Sequence, residues 1–379
     1  MDSKKYKYIV SFPHLGNYYV PIFNWLTNIL DKSTTKVMIP KTMSKKTLEL
    51  GSNYSPDFIC LPFKYNLGNF IESLESGANV LIQAGGGCKY GYYAEVQNQI
   101  LKDMGYRFKY LTLVDKGKIK PISIYRKFKE INPKLTFFKM LYRFLVAAFI
   151  AYYLDKFENY MRYNISFEKI NGDFEALHKR FLNKLKYVKN LRELLKIKRI
   201  NFKKLKKIEL LSKCQKEEKI KIGIIGELFT SMEQFSSNNI EKKLYDLGAV
   251  TKRYTTLTYL MIKKPLEMKK LIKKSNKYIE YELGADGTTS VAHAIELSEM
   301  GYDGIIHIKP FGCTPEENAI PILQKISSDK NIPIMYITFD TQNSDTGLET
   351  RLEAFYDMLC MNKEKNKILF ESTGEILDG

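Results

Sequence analysis

Over the first 115 residues, short apolar runs alternate with stretches in which apolar positions recur at helical spacing. Runs at 7–12, 36–39, 57–61, 79–83 and 108–114 read as strands, with helical segments between them. This alternation predicts a parallel sheet covered by helices on both faces. From 120 to 217 no strand-like run occurs. The pattern there is helical, with breaks at Asn132-Pro133 and Asn171-Gly172-Asp173. A second alternating unit opens with the strand 219–226 and continues through a helix at 240–247, a strand at 304–308, a helix at 315–327, a strand at 332–339 and a helix at 348–359. Residues 252–283 mix Thr/Tyr-rich and Lys-rich parts and give no clear element, and the polar tail 361–379 reads as peripheral. No repeat with a fixed period of about 20–50 residues is present. The pattern therefore predicts an α/β protein: two Rossmann- or flavodoxin-like parallel-sheet domains, 1–118 and 218–379, facing a cleft, with a basic helical insert, 119–217, between them.

Hydropathy and composition narrow the class. The most apolar stretch, 144–154, holds 11 residues between Arg143 and Asp155. A spanning helix needs about 20, so a buried core helix and no membrane contact are expected. The chain opens on a strand-like segment with no signal-peptide pattern. Five cysteines in 379 residues do not suggest a secreted disulfide framework. A cytoplasmic, reducing setting is expected.

The net charge of +18 is localised. Residues 116–220 hold 28 Lys/Arg against 10 Asp/Glu, a surplus equal to that of the whole chain. The run 196–207 places basic residues between apolar ones at helical spacing. It reads as a solvated helix face, or as a docking surface for an acidic partner or the phosphates of a large cofactor. Nucleic acid is not expected, since no RRM, KH or zinc-finger signature accompanies the charge.

Three cysteines share one setting. Cys60 ends the run Phe58-Ile59-Cys60-Leu61 and precedes Pro62. Cys88 follows the strand 79–83 and the glycines Gly85-Gly86-Gly87, and Cys313 lies in Pro310-Phe311-Gly312-Cys313 after the strand 304–308. Loops at the carboxyl ends of strands are where ligands gather in α/β folds. Three thiolates delivered there suit an iron–sulfur cluster, zinc or Cu(I), with one coordination position left open. Buried structural thiols are the alternative. None of His14, His178, His293 and His307 stands at a paired metal-ligand spacing. Cys214 and Cys360 lack the strand-end setting and read as structural.

Other groups join this set. In the turn 85–91, Gly87, Lys89 and Gly91 are candidate cofactor contacts, because backbone N–H groups approach an anion readily there. Gly226, after the strand 220–225, is a fourth. Glu227 beside it reads either as an acid/base group or as the cap of the following helix, and Asp340 ends a strand in the same way.

These residues carry a resemblance. Cys60-Leu-Pro-Phe-Lys64, Leu67-Gly68, 77–80, and Gly-Gly-Cys88-Lys-Tyr-Gly-Tyr-Tyr93 with Gln97 and Leu101 resemble the 2-hydroxyacyl-CoA dehydratase family, and within it the activase-related branch. In the second half, 226–229, 239–244, 301–316, 332–335 and 350–355 are similar to the family's C-terminal domain. Two positions depart from the branch's pattern: 284–287 reads Gly-Ala-Asp-Gly where a Gly-His-Gly is common, and Asp340-Thr341 stands for Asp-Glu.

The resemblance implies a [4Fe-4S] cluster held by Cys60, Cys88 and Cys313, with one iron lacking a protein ligand. It further implies dehydration of a 2-hydroxyacyl-CoA thioester through a ketyl radical, after an iron–sulfur ATPase activator has injected one low-potential electron. A related second subunit and an anaerobic setting accompany that chemistry. No phosphate loop occurs in the chain, so an ATP-driven step belongs to a partner. Two other readings remain open: an ATP-gated reductase of another small molecule, and a non-catalytic scaffold that docks the activator.

Overall fold

The computed structural model describes residues 6–85, 92–115, 118–211, 219–341 and 345–374. In the first unit, β1 (Tyr8–Ser11), β2 (Thr35–Val37), β3 (Val80–Gln83) and β4 (Lys109–Thr112) pair in the order β2-β1-β3-β4. Every pairing is parallel. A two-stranded antiparallel ribbon, β5 (Val114–Asp115) and β6 (Lys118–Ile119), follows. The second unit pairs β7 (Lys221–Gly226), β8 (Val250–Arg253), β9 (Gly304–Pro310) and β10 (Ile334–Phe339) in the order β10-β9-β7-β8, again all parallel. Counted along the chain, both sheets place the second strand, the first, the third and the fourth side by side. Each therefore has a switch point between its first and third strands, where the carboxyl ends open a crevice.

The α/β expectation holds, and the cause lies in the side-chain alternation of buried strands. In the first unit, Val10 and Ile82 face Phe23 and Leu26 of α1 (Tyr19–Ile29). Ile9 and Leu81 point the other way, against Phe63, Leu67 and Phe70. α2 (Lys45–Tyr54) lies on α3 (Leu61–Glu75), and α4 (Tyr93–Asp103) completes the layer. The α2–α3 crossing is close because Gly51 and Gly68 sit at it: a Cβ on Gly68 would overlap the Thr47 carbonyl oxygen.

The helical stretch comprises α5 (Pro121–Lys129), α6 (Phe137–Asn164), α7 (Asp173–Leu185) and α8 (Leu191–Leu205). Val146, Ile150, Leu154 and Phe157 of α6 bury against Phe174, Phe181, Leu185 and Leu194. The 11-residue apolar run is thus part of a helix of 28 residues, not a short core helix. The stretch Phe137–Phe167 is long and apolar enough to cross a membrane by length and composition, yet only 33% of its most apolar window is buried.

Beyond that stretch come α9 (Leu228–Met232), α10 (Ile240–Asp246), α11 (Lys264–Ser275), α12 (Gly287–Glu299), α13 (Thr314–Lys330) and α14 (Asp345–Gly374). Ile222, Ile224, Ile306 and Ile308 pack beneath α10 and α14, while Ile225 and Ile305 face α12 and α13.

Three readings need correction. Residues 57–61 form no strand: Phe58 is 90% exposed, and Pro62 starts α3, where a missing N–H costs nothing. Val250–Arg253 is an edge strand that the mixed sequence conceals. The polar tail from 361 continues α14 to Gly374.

Candidate functional site

The two units meet along α3. Leu61 and Tyr65 belong to the same apolar cluster as Phe229 and Phe339 of the second unit, and Tyr65 stacks on Phe229 at 6.0 Å between ring centroids. On the adjoining side, Glu233 reaches across. Its Oε2 lies 2.8 Å from His14 Nδ1 and accepts the Gly16 N–H at 2.6 Å. His14 follows β1, so this bridge ties the first sheet's carboxyl edge to the second unit.

Two of the three singled-out thiols sit at this junction. Cys60 is the N-cap residue of α3 and Cys313 is that of α13, and each helix has proline in its first turn. They are close enough that the charge of one raises the pKa of the other. An imagined Cβ on Gly312 would lie 3.6 Å from the Phe58 carbonyl oxygen, which puts the two cysteine loops in contact. Cys88, with Gly87, Lys89 and Gly91, lies outside the described residues. β3 borders the first sheet's switch point, and Cys313 follows β9 at the second's. Among the described residues no group of three or more His, Cys, Asp or Glu is gathered as a metal site, and Cys60, Cys313 and Cys360 form no disulfide.

Opposing forces act on Cys313. Its position at a helix N-terminus favours a thiolate. Burial opposes it most strongly, Glu227 and Glu316 add to the opposition, and together they hold the thiol well above its ordinary value. A cation bound at the thiol would relieve that conflict. Cys60 contacts the Tyr93 hydroxyl, the last residue of the motif that contains Cys88. The donor set is thus chemically suited to a soft metal or cluster.

Glu227 follows β7 at the same crevice. Its carboxylate accepts from the N–H groups of Phe229 and Thr230 at 2.9 and 2.8 Å, so it caps α9. Burial, reinforced by Asp286, pushes its pKa up to about 7 despite those donors. Of the two readings of Glu227, the helix cap is the one its hydrogen bonds show. Gly226 is fixed by geometry: its φ is +133°, and a Cβ there would overlap the Ile308 carbonyl oxygen. Only glycine lets the Glu227 N–H reach that oxygen, at 3.0 Å.

Several residues were not singled out from the sequence. Asp286, in the departing Gly-Ala-Asp-Gly segment, is the N-cap residue of α12; it accepts from Leu228 N–H at 3.1 Å and from Lys264 Nζ at 2.7 Å. Ala285 beside it has φ +35°, a left-handed value unusual for alanine. Behind Cys313, fully buried His307 and Glu316 meet at 2.6 Å, and Ser290 Oγ lies 3.2 Å from the same carboxylate. The three-residue step from Cys313 to Glu316 mimics a capping-box spacing and was the one available signal. A cleft of about 200 Å³ opens between the units, lined by Phe58, Ile59 and Lys64 on one side and Phe311, Asp340 and Thr341 on the other.

The profile of a protein family described as 2-hydroxyglutaryl-CoA dehydratase, D-component, matches residues 125–359. The match takes in Glu227 and Cys313 and begins after Cys60 and Cys88. No curated protein matches the chain.

Proposed function

Because the chain belongs to the 2-hydroxyglutaryl-CoA dehydratase D-component family, we propose that it is the iron–sulfur subunit of a 2-hydroxyacyl-CoA dehydratase-like system of the activase-related branch. The observation that carries this reading is the meeting of Cys60 and Cys313, each at a helix N-cap, across one cleft. Cys60, Cys88 and Cys313 would hold a [4Fe-4S] cluster. When bound, such a cluster supplies a one-electron store and, at an iron without a protein ligand, a Lewis-acid position for a substrate oxygen.

The chain's own residues have separate roles. With a pKa near 7, the Glu227 carboxyl can give up or take a proton near neutral pH. Lys264 neutralises Asp286, which in turn holds the backbone of α9 and thereby orients Glu227. Tyr93 positions Cys60 through its hydroxyl. Lys64 presents a cation at the cleft, suited to the phosphates of a CoA thioester. Division of the chain at 118 and 218 into two domains and an insert accords with this arrangement, since the acyl-CoA would lie between the two sheets. The electron would come from a separate iron–sulfur ATPase activator in the cytoplasm, with a related second subunit as partner.

Replacing Cys88 with Ala tests the reading. In oxygen-free preparations we expect the variant to fold and to lose iron together with activator-dependent turnover of a 2-hydroxyacyl-CoA. Wild-type protein that binds the activator normally but never carries iron would identify a scaffold instead.

A further inference from the structure

The outer face of α6 has no partner among the described residues. Phe138 is 82% exposed, Leu141 49%, Tyr142 41%, Leu145 46% and Phe149 38%. At 100° per residue these five positions fall on one stripe, about 17 Å long from Phe138 to Phe149. The opposite face of the helix is occupied by Val146, Ile150 and Leu154 in the core, so the stripe is not a misplaced core. Monomeric proteins rarely expose a continuous aromatic and aliphatic strip of this kind without a use for it.

Charge selects the occupant. From 131 to 154 the chain has no Asp or Glu. Exposed Lys139 follows Phe138, exposed Lys156 ends the stripe one turn beyond Tyr152, and its ammonium stands 4.7 Å from the Tyr152 ring centroid, while Arg143 turns aside to donate to the Lys189 carbonyl oxygen. Lys198 of α8 flanks the same side, 5.5 Å from the Tyr153 ring centroid. The chain's whole positive surplus falls in residues 116–220, which include this helix. A second copy packed stripe to stripe would bring these cations together with no carboxylate to answer them. The occupant must be anionic. Between Phe138 and Phe149 the exposed stripe positions are aromatic or aliphatic, whereas a protein interface is on average about as polar as the rest of a surface. Apolar and aromatic side chains rimmed by lysine suit the headgroup–acyl boundary of a bilayer, with the ammonium groups on lipid phosphates.

We propose that the outer face of α6 is a peripheral docking surface for an anionic lipid bilayer, the helix lying in the interface plane and not crossing it. The expectation of no membrane contact rested on the length of the apolar run, and the 28-residue helix removes that ground. The proposal is independent of the cluster reading, because α6 contributes none of the cysteines.

The test is co-sedimentation of the full chain with vesicles of phosphatidylglycerol and phosphatidylcholine, and with phosphatidylcholine alone. We expect partitioning onto the anionic vesicles that weakens at least tenfold when salt screens the headgroups. The exposed double variant Leu141→Asp/Leu145→Asp should lose it while keeping the wild-type thermal melt. Lys139→Glu/Lys156→Glu should lose the preference for anionic lipid. Protein that stays in the supernatant with both vesicle types overturns the proposal. So does a dimer, seen by light scattering, that the aspartate variant dissolves, since it would make a second copy the occupant.

Discussion

Single side chains around the cleft are held in states that cost free energy, and the fold determines which. Cys313 is drawn toward a thiolate by its helix and away from it by burial, Glu227 and Glu316. Glu227 accepts two backbone N–H groups yet titrates near 7, because the loss of water outweighs them. His293 shows the same physics away from the thiols. It stacks on Tyr254 at 3.9 Å between centroids, meets the Tyr259 hydroxyl at 3.1 Å, and is surrounded by Lys252, Lys264 and Lys274. Burial first, and those lysines second, take it down to about 3. A depressed folded value means that its contribution to stability is complete above the unfolded value of about 6.5 and is lost as pH falls toward 3. Within that window His293 makes the chain lose up to about 1.4 kcal/mol per pH unit. His293→Phe preserves the stack and removes the term. Its urea midpoint, followed from about pH 7 down to pH 4, should decline less steeply than the wild type's. Equal slopes would contradict the assignment.

Elements show where the sequence was legible. β3 and β9 are buried throughout and, Gln83, His307 and Lys309 apart, apolar, so their strands follow directly from their residues. The run ending in Cys60 misled because an apolar tetrapeptide before proline fits both the end of a strand and the start of a helix. Exposed Phe58 and helical Pro62 show it to be the latter. β8 was concealed because Lys252 and Arg253 interrupt an edge strand whose pairing, not its composition, defines it. The polar end of α6 was equally hidden. Asp155, Glu158 and Arg162 look like solvated residues in sequence, yet all three are buried. Tyr18 donates to Asp155 at 2.6 Å, and Arg162 joins Glu158 and Glu241, each at 2.9 Å. This network ties α6 to the first unit through Tyr18 and to the second through Glu241. Such a pair is strong only while complete, since removing one partner strands a buried charge. Arg162→Ala should therefore cost about 3–5 kcal/mol in chemical denaturation. A loss below about 1 kcal/mol, the range of exposed pairs, would show that water reaches the carboxylates.

At the scale of the whole molecule, two sheets of the same strand order face one cleft, and the second delivers Cys313 to it from beside its switch point. The sequence made the strand-end placement of Cys313 legible. It could not show that Cys60 caps a helix, or that α3 carries it onto the second unit, because that contact is made by Leu61, Tyr65 and Phe229 far apart in the chain. The central claim is that the cleft exists to hold a cluster. The most direct test is iron and acid-labile sulfide per chain in protein purified without oxygen, together with its EPR spectrum, for the wild type and for Cys60→Ser and Cys313→Ser. The account predicts about four of each per wild-type chain, with a reducible cluster signal that both variants lose. Folded wild-type protein that carries no iron and cannot be reconstituted, or that holds zinc at those thiols instead, would contradict it.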